Sequence, residues 1–246
     1  MKRVVILGAT SGIAQALQRI MANSGTDMLL VGRSQERLDV VQADLIARGA
    51  ERVSTLVADL ADHTQHQRIV GYAMDKFEGF DTVVAAYGSM LDQAATQTSP
   101  VLALQQVNTD FTSAVSLLTL FGEYFRERRS GTIAVITSVA GDRGRRPNYV
   151  YGAAKGGLSI FLQGLRSRLH PFGVRVVTIK PGPVDTPMTA QMKKSPIFAK
   201  PARVAADIYK QLTKGRAEIV YTPWYWRWIM LMLRMVPESR FKKMSV

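Results

Sequence analysis

Seven short apolar runs, rich in Val, Ile and Leu, recur along this chain with helix-length stretches between them. That alternation limits the fold more than any other feature. The runs fall at residues 4–7, 28–31, 53–57, 82–86, 133–137, 174–179 and 218–221. A strand apolar at consecutive positions is buried on both faces. Two buried faces need helices above and below, and parallel strands need long crossovers between them. The patterns at 13–23, 35–48, 65–77, 101–128, 150–170 and 201–214 supply those helices. Right-handed crossovers then predict an α/β fold, a doubly wound parallel sheet of about seven strands of the Rossmann type.

No repeat, low-complexity tract or linker divides the 246 residues. Residues 1–222 read as one dinucleotide-fold domain. Within it, the irregular stretch at about 183–200 is too long for an ordinary connection and reads as a substrate lid. Residues 223–246 read as a C-terminal apolar and basic extension. The absence of cysteine excludes disulfides and thiolate zinc sites. His63 and His66 are three apart with no third ligand near, so they read as solvated and no metal is expected. His170, beside Pro171, reads as a helix-end residue. The basic start Met1-Lys2-Arg3 leads into an apolar run that meets Gly8 too soon for a signal peptide, so it reads as a first strand.

The formal net charge is +13, and much of the excess lies in the last fifty or so residues. There Lys193, Lys194, Lys200, Arg203, Lys210, Lys214, Arg216, Arg227, Arg234, Arg240, Lys242 and Lys243 face only Asp207, Glu218 and Glu238. Such charge suits anionic lipid, phosphorylated ligands or nucleic acid. The bases border the stretch Trp224-Tyr225-Trp226-Arg227-Trp228-Ile229-Met230, which a nucleic-acid patch does not explain, so no nucleic acid is expected. That stretch is too short to span a bilayer, which takes about 20 apolar residues. Its tryptophans, methionines and flanking bases suit an interfacial helix on anionic lipid, and equally a helix packed on the core or a partner subunit.

After the first run comes Gly8-Ala9-Thr10-Ser11-Gly12-Ile13-Ala14. Glycines at a strand-to-helix turn let the backbone approach a pyrophosphate, and the N–H groups opening the helix point at it. The second strand ends Gly32-Arg33-Ser34. A carboxylate there would accept from a ribose hydroxyl; a guanidinium suits a 2′-phosphate, so NADP is favoured, with NAD as the alternative. Ser138 follows a strand end, Tyr151 and Lys155 are one helical turn apart, and Asn108 lies upstream. Reducing a ketone needs a hydride on carbon and a proton on oxygen. A free tyrosine, with a pKa near ~10, exchanges that proton poorly near neutrality, and a neighbouring ammonium favours its phenolate.

With these residues in this order, the chain resembles the short-chain dehydrogenase/reductase family. Asn108, Ser138, Tyr151 and Lys155 match its tetrad, G-x-x-x-G-I-A is close to its T-G-x-x-x-G-I-G, and Pro181-Gly182-Pro183-Val184-Asp185-Thr186 matches its P-G-x-x-x-T segment. The resemblance implies that Ser138 holds the carbonyl oxygen and Tyr151 exchanges the proton. It also implies that Lys155 lowers the tyrosine pKa while binding the nicotinamide ribose, and that Asn108 supports a water relay. Gly8, Thr10, Ser11, Gly12 and Ile13 are implied at the pyrophosphate, Asp59 and Leu60 at the adenine, and Pro181, Gly182 and Val184 beside the nicotinamide. The family's N-N-A-G is here Ala85-Ala86-Tyr87-Gly88, which loses an asparagine but keeps Gly88 for close approach to the cofactor.

The second half also resembles one branch of that family, the reductase components of decaprenylphosphoryl-ribose 2′-epimerases. The likeness rests on 141–169, Arg175-Val176-Val177, 180–189 and 229–243. It implies reduction of a polyprenyl-phosphate-linked 2-keto pentose to the arabinose form, in cell wall biogenesis, with a flavin oxidase as partner and a homo-oligomer. It also implies a cytoplasmic enzyme in peripheral contact with the inner face of the cell membrane. Arg143, Arg145 and Arg146, on the loop between Ser138 and Tyr151, are then expected to hold the phosphate. The alternative is a reductase of a soluble ketone, such as a 3-oxoacyl substrate.

Overall fold

A computed structural model describes residues 1–244. Seven strands, β1 (Arg3–Leu7), β2 (Asp27–Gly32), β3 (Val53–Val57), β4 (Thr82–Ala85), β5 (Gly131–Ile136), β6 (Val174–Pro181) and β7 (Ile219–Thr222), form one sheet in the order β3-β2-β1-β4-β5-β6-β7. Every neighbouring pair is parallel. The helices are α1 (Gly12–Ala22), α2 (Gln35–Ala47), α3 (His66–Phe77), the short α4 (Gln93–Thr96), α5 (Pro100–Val107), α6 (Ser113–Arg128), α7 (Tyr149–Leu169), α8 (Pro201–Thr213), α9 (Trp226–Met235) and the short α10 (Glu238–Phe241).

Strand side chains alternate between two cores, as a period of two requires. Val5 and Leu7 pack with Phe121 and Leu162 of α6 and α7, while Val4 and Ile6 pack with Leu17 and Ile208 of α1 and α8. The chain winds from β1 out to β3, then returns to place β4 on the other side of β1. The connections therefore diverge at the carboxyl ends of β1 and β4, opening the crevice where ligands bind in such sheets.

Three segments depart from the sequence reading. The single helix predicted over 101–128 is interrupted: between α5 and α6 the turn Asn108–Thr112 is widened, with the Ser113 N–H bonding to the Asn108 carbonyl five residues back. Such a wide turn inside a helix re-aims its side chains. The irregular stretch at 183–200 is pinched at its base, where Asp185 N–H donates to the Ala199 carbonyl (2.9 Å) and Ala199 N–H to the Pro183 carbonyl (2.9 Å). The apolar tail is partly core, since Trp226 and Met230 of α9 are buried against Val139. Residues 245 and 246 of the expected extension lie outside the described residues. Among those described, no helix is long and apolar enough to cross a membrane.

Candidate active site

Ser138 follows β5 at the carboxyl edge of the sheet, and Tyr151 and Lys155 lie in the first two turns of α7. The two segments meet because glycines let their backbones touch. A Cβ on Gly152 would lie 2.9 Å from the Ala140 carbonyl oxygen, and one on Gly141 would lie 2.6 Å from the Gly156 nitrogen. The Lys155 ammonium is buried, 5.7 Å from the centre of the Tyr151 ring. Burial pushes the Tyr151 phenol above its ordinary value; Lys155 pulls it down, Asp110 pushes it up, and the Ser138 hydroxyl and Arg145 pull it down more weakly. The Lys155 contribution thus has the predicted sign, but it is outweighed. Ser138 Oγ itself accepts a bond from Ala140 N–H (3.0 Å).

Sequence reasoning missed Asp110. Its carboxylate is 1% exposed and lies 3.0 Å from Lys155 Nζ. Gln106 Nε2, Ser89 N–H and Ser89 Oγ donate to the same carboxylate. Burial works against the Lys155 charge, but Asp110 and then Tyr151 outweigh it and hold the ammonium above its usual range. A signal was present. Asp110 shares a stripe with Ala114, Leu117 and Phe121, all buried, so an acid there needed a partner.

Asn108 does not join this cluster through its side chain. Its Nδ2 donates to the Ala61 carbonyl (3.0 Å), and its Oδ1 lies 2.8 Å from His63 Nε2. The reading of His66 as solvated is corrected too. It is buried, bonding to Ser116 Oγ (2.8 Å) and the Leu60 carbonyl (3.1 Å), because it falls on the apolar stripe of α3 with Ile69, Ala73 and Phe77.

The glycine turn lies across the β1–β4 crevice. Gly8 has φ +81°, and a Cβ there would meet the Tyr87 Cβ at 2.6 Å, so no other residue fits this turn without strain. Gln15 Nε2 ties down the Thr10 carbonyl (2.9 Å), and Ser11 caps α1 by accepting from Ala14 N–H (3.3 Å). The N–H groups of Gly12 and Ile13 find no acceptor among the described residues. A Cβ on Gly12 would lie 3.0 Å from Thr186 Cγ2, which brings the segment after β6 over the turn. Arg33 is exposed at the end of β2, Asp59 is exposed and accepts from Ala61 N–H (3.0 Å), and Leu60 is buried. Pro181 ends β6, and Gly182 must be glycine because the Trp226 indole lies where a Cβ would go. Val184 is buried beside them.

The three loop arginines separate in the structure. Arg143 is engaged by the tail: it donates to the carbonyls of Leu233 and Val236, pairs with Glu238 (3.0 Å) and stacks on Phe241 at 3.7 Å. It is therefore corrected from a ligand residue to the anchor of the C-terminal helices. Arg145 and Arg146, with Tyr149 and Lys242, line a cleft of about 300 Å³. Arg145 Nε is buried without a hydrogen-bond partner, and the residue is close enough to Tyr151 for each to bias the other's ionisation. Nearby, Asp142 ties strands to loop, pairing with Lys180 and accepting from the Tyr221 hydroxyl (2.7 Å).

Comparison with known proteins places this arrangement. The model of the short chain dehydrogenase family matches residues 2–196. An uncharacterized oxidoreductase of Mycobacterium tuberculosis is 38% identical over 241 residues, covering 98% of this chain and 96% of that one. Another, encoded in the mprA 5′ region of Streptomyces coelicolor, is 33% identical over 246 residues, covering 100% and 96%. The crystal structure of an actinorhodin polyketide ketoreductase with NADPH superposes with a TM-score of 0.82 at 22% identity, over 92% of this chain and 97% of that one, a likeness of fold. Family model and full-length relatives agree, and the chain belongs to the short chain dehydrogenase family of oxidoreductases.

Proposed function

We propose that this chain is an NADPH-dependent reductase acting on the ketone of a polyprenyl-phosphate-linked 2-keto pentose, with the arabinose form as product. The residues at the crevice fit the cofactor. Gly12 and Ile13 offer amides at a helix N-terminus that find no acceptor among the described residues, suited to a pyrophosphate, and Arg33 offers an exposed guanidinium for a 2′-phosphate. Asp59 and Leu60 would border the adenine, and Gly88, Pro181, Gly182 and Val184 the nicotinamide half. Bound NADPH supplies the hydride.

The remaining work falls to the chain's own side chains. Ser138 Oγ holds the ketone oxygen. As hydride adds to carbon, the carbonyl electron pair moves to that oxygen, which takes its proton from the Tyr151 hydroxyl. Lys155 beside the ring offsets the negative charge left on Tyr151, which is the charge a buried phenol resists. Asn108 keeps its proposed part in a water-linked proton relay, with its side chain held by Ala61 and His63 and its carbonyl accepting from Ser113 N–H.

The observation that carries the substrate reading is the cleft lined by Arg145, Arg146, Tyr149 and Lys242, whose three bases outnumber its one acid, Glu238. A phosphate there would meet the Arg146 guanidinium and the Lys242 ammonium, with Arg145 beside them. The face of α9 turned away from the core mixes apolar side chains, with Trp228 55% and Met235 75% exposed, with the exposed bases Arg227 and Arg234, and it suits the surface of an anionic membrane or the path of an isoprenoid chain. In this reading residues 183–200 close over the substrate, residues 223–246 contact lipid, and a flavin oxidase and a second copy of the chain are the partners.

Changing both Arg145 and Arg146 to Ala is expected to raise KM for the phosphorylated polyprenyl ketone by about tenfold or more, the weight of one charge-assisted hydrogen bond. Reduction of a neutral soluble ketone should fall far less, by no more than the weak effect of Arg145 on Tyr151. Equal losses on both substrates would leave the soluble-ketone alternative standing. For the cofactor, Arg33→Asp is expected to replace attraction to the 2′-phosphate with repulsion and to lower the NADPH-to-NADH preference by about tenfold or more. Fluorescence titration of both cofactors measures it, and an unchanged ratio would refute the assignment.

A further inference from the structure

Resting on the reading of Tyr151 as proton donor, we propose that Asp110 is a positioning residue. It anchors the Lys155 ammonium and offsets part of its field at the tyrosine, so that the phenol is kept in its proton-donating form. Neither the cluster expected from the sequence nor the family motifs assign this carboxylate a part.

The geometry is specific. The widened turn at Asn108–Thr112 aims Asp110 into the crevice while Asn108 is turned away to Ala61 and His63. A Cβ on Gly88 would lie 2.3 Å from Asp110 Oδ1 and 2.9 Å from Lys155 Nζ, so the pair passes through a gap that only glycine leaves open. Donors fix the carboxylate from two other segments, Gln106 of α5 and the backbone and hydroxyl of Ser89. With Lys155 and Asp110 both below 5% exposure, solvent does little to weaken their effect on a neighbour. The groups close enough to bias Tyr151 are Lys155 on its own helix, 5.7 Å from the ring centre, Asp110 from the widened turn, Ser138 after β5 and Arg145 from the loop before α7. Asp110 supplies the one negative charge among them. An ammonium alone would stabilise the phenolate, the form that takes a proton from an alcohol. Ammonium plus carboxylate leaves the phenol protonated, the form that gives one to a ketone.

The test is an ultraviolet titration of tyrosinate in the full chain, with Tyr151→Phe as the blank so that Tyr151 alone is read. Asp110→Asn keeps the shape and removes the charge. It is expected to move the Tyr151 transition to lower pH by about one pH unit. With a soluble ketone and its alcohol, the alkaline limb of reduction and the acidic limb of oxidation should both move the same way. Asp110→Ser is the second variant, and both are checked for folding by circular dichroism. A Tyr151 transition unmoved in either folded variant overturns the proposal, as does failure of both to fold, which would make Asp110 purely structural. The underlying reading fails separately, if Tyr151→Phe still reduces ketones.

Discussion

Tyr151→Phe is expected to cut ketone reduction by roughly 10²–10⁴-fold, the usual worth of a positioned general acid. Only the hydroxyl is lost, and the ring still packs where Lys155 passes 5.7 Å from its centre. Cofactor affinity should therefore stay within about twofold, well under the tenfold that 1.4 kcal/mol would give. Steady-state turnover on a ketone and fluorescence titration of NADPH measure the two quantities. A variant with wild-type turnover would remove Tyr151 from the chemistry. One that loses cofactor binding in parallel would show that the hydroxyl acts in assembling the site.

Gly141→Ala should be damaging although it adds one methyl group. That methyl would fall 2.6 Å from both the Gly156 nitrogen and the Lys155 carbonyl carbon, which are backbone atoms and cannot swing aside. The loop after β5 and helix α7 would have to part, at a cost of roughly 3 kcal/mol. For a domain of this size that corresponds to a melting point lower by about 6–12 °C. Because the same contact brings Ser138 to Tyr151, activity should fall more steeply than the folded fraction. Thermal unfolding followed by circular dichroism, with turnover per folded molecule, separates these effects. A melting point within a degree or so of wild type would mean the loop can shift freely.

Much of the framework was legible along the chain because it depends on local pattern. Seven apolar runs became the seven strands of one parallel sheet, since a strand apolar at successive positions is stable only between two covered faces. The glycine turn fell where a strand gives way to a helix, and Tyr151 and Lys155 fell one turn apart on a single helix, because 3.6-residue periodicity fixes such neighbours without tertiary information. The bend in the predicted helix 101–128 was not legible. Its sequence is helix-compatible throughout, and only packing against Ala61, Ser89 and Lys155 selects the widened turn.

That one turn decided which upstream side chain meets the lysine. Sequence order pointed to Asn108, whereas the fold brings Asp110 to Lys155, because an extra residue in a helical turn rotates the face that follows it. The three loop arginines were equivalent as a charge run. They became distinct only when α9 and α10 packed against the loop, giving Arg143 carbonyls, a carboxylate and an aromatic ring to bind and leaving Arg145 with a buried nitrogen unpartnered. The sequence by itself determined the sheet, the nucleotide turn and the Tyr151–Lys155 pair, all set by near-neighbour geometry. The tertiary structure alone decided which charges are buried together, because burial and ion pairing depend on contacts between segments far apart in the chain.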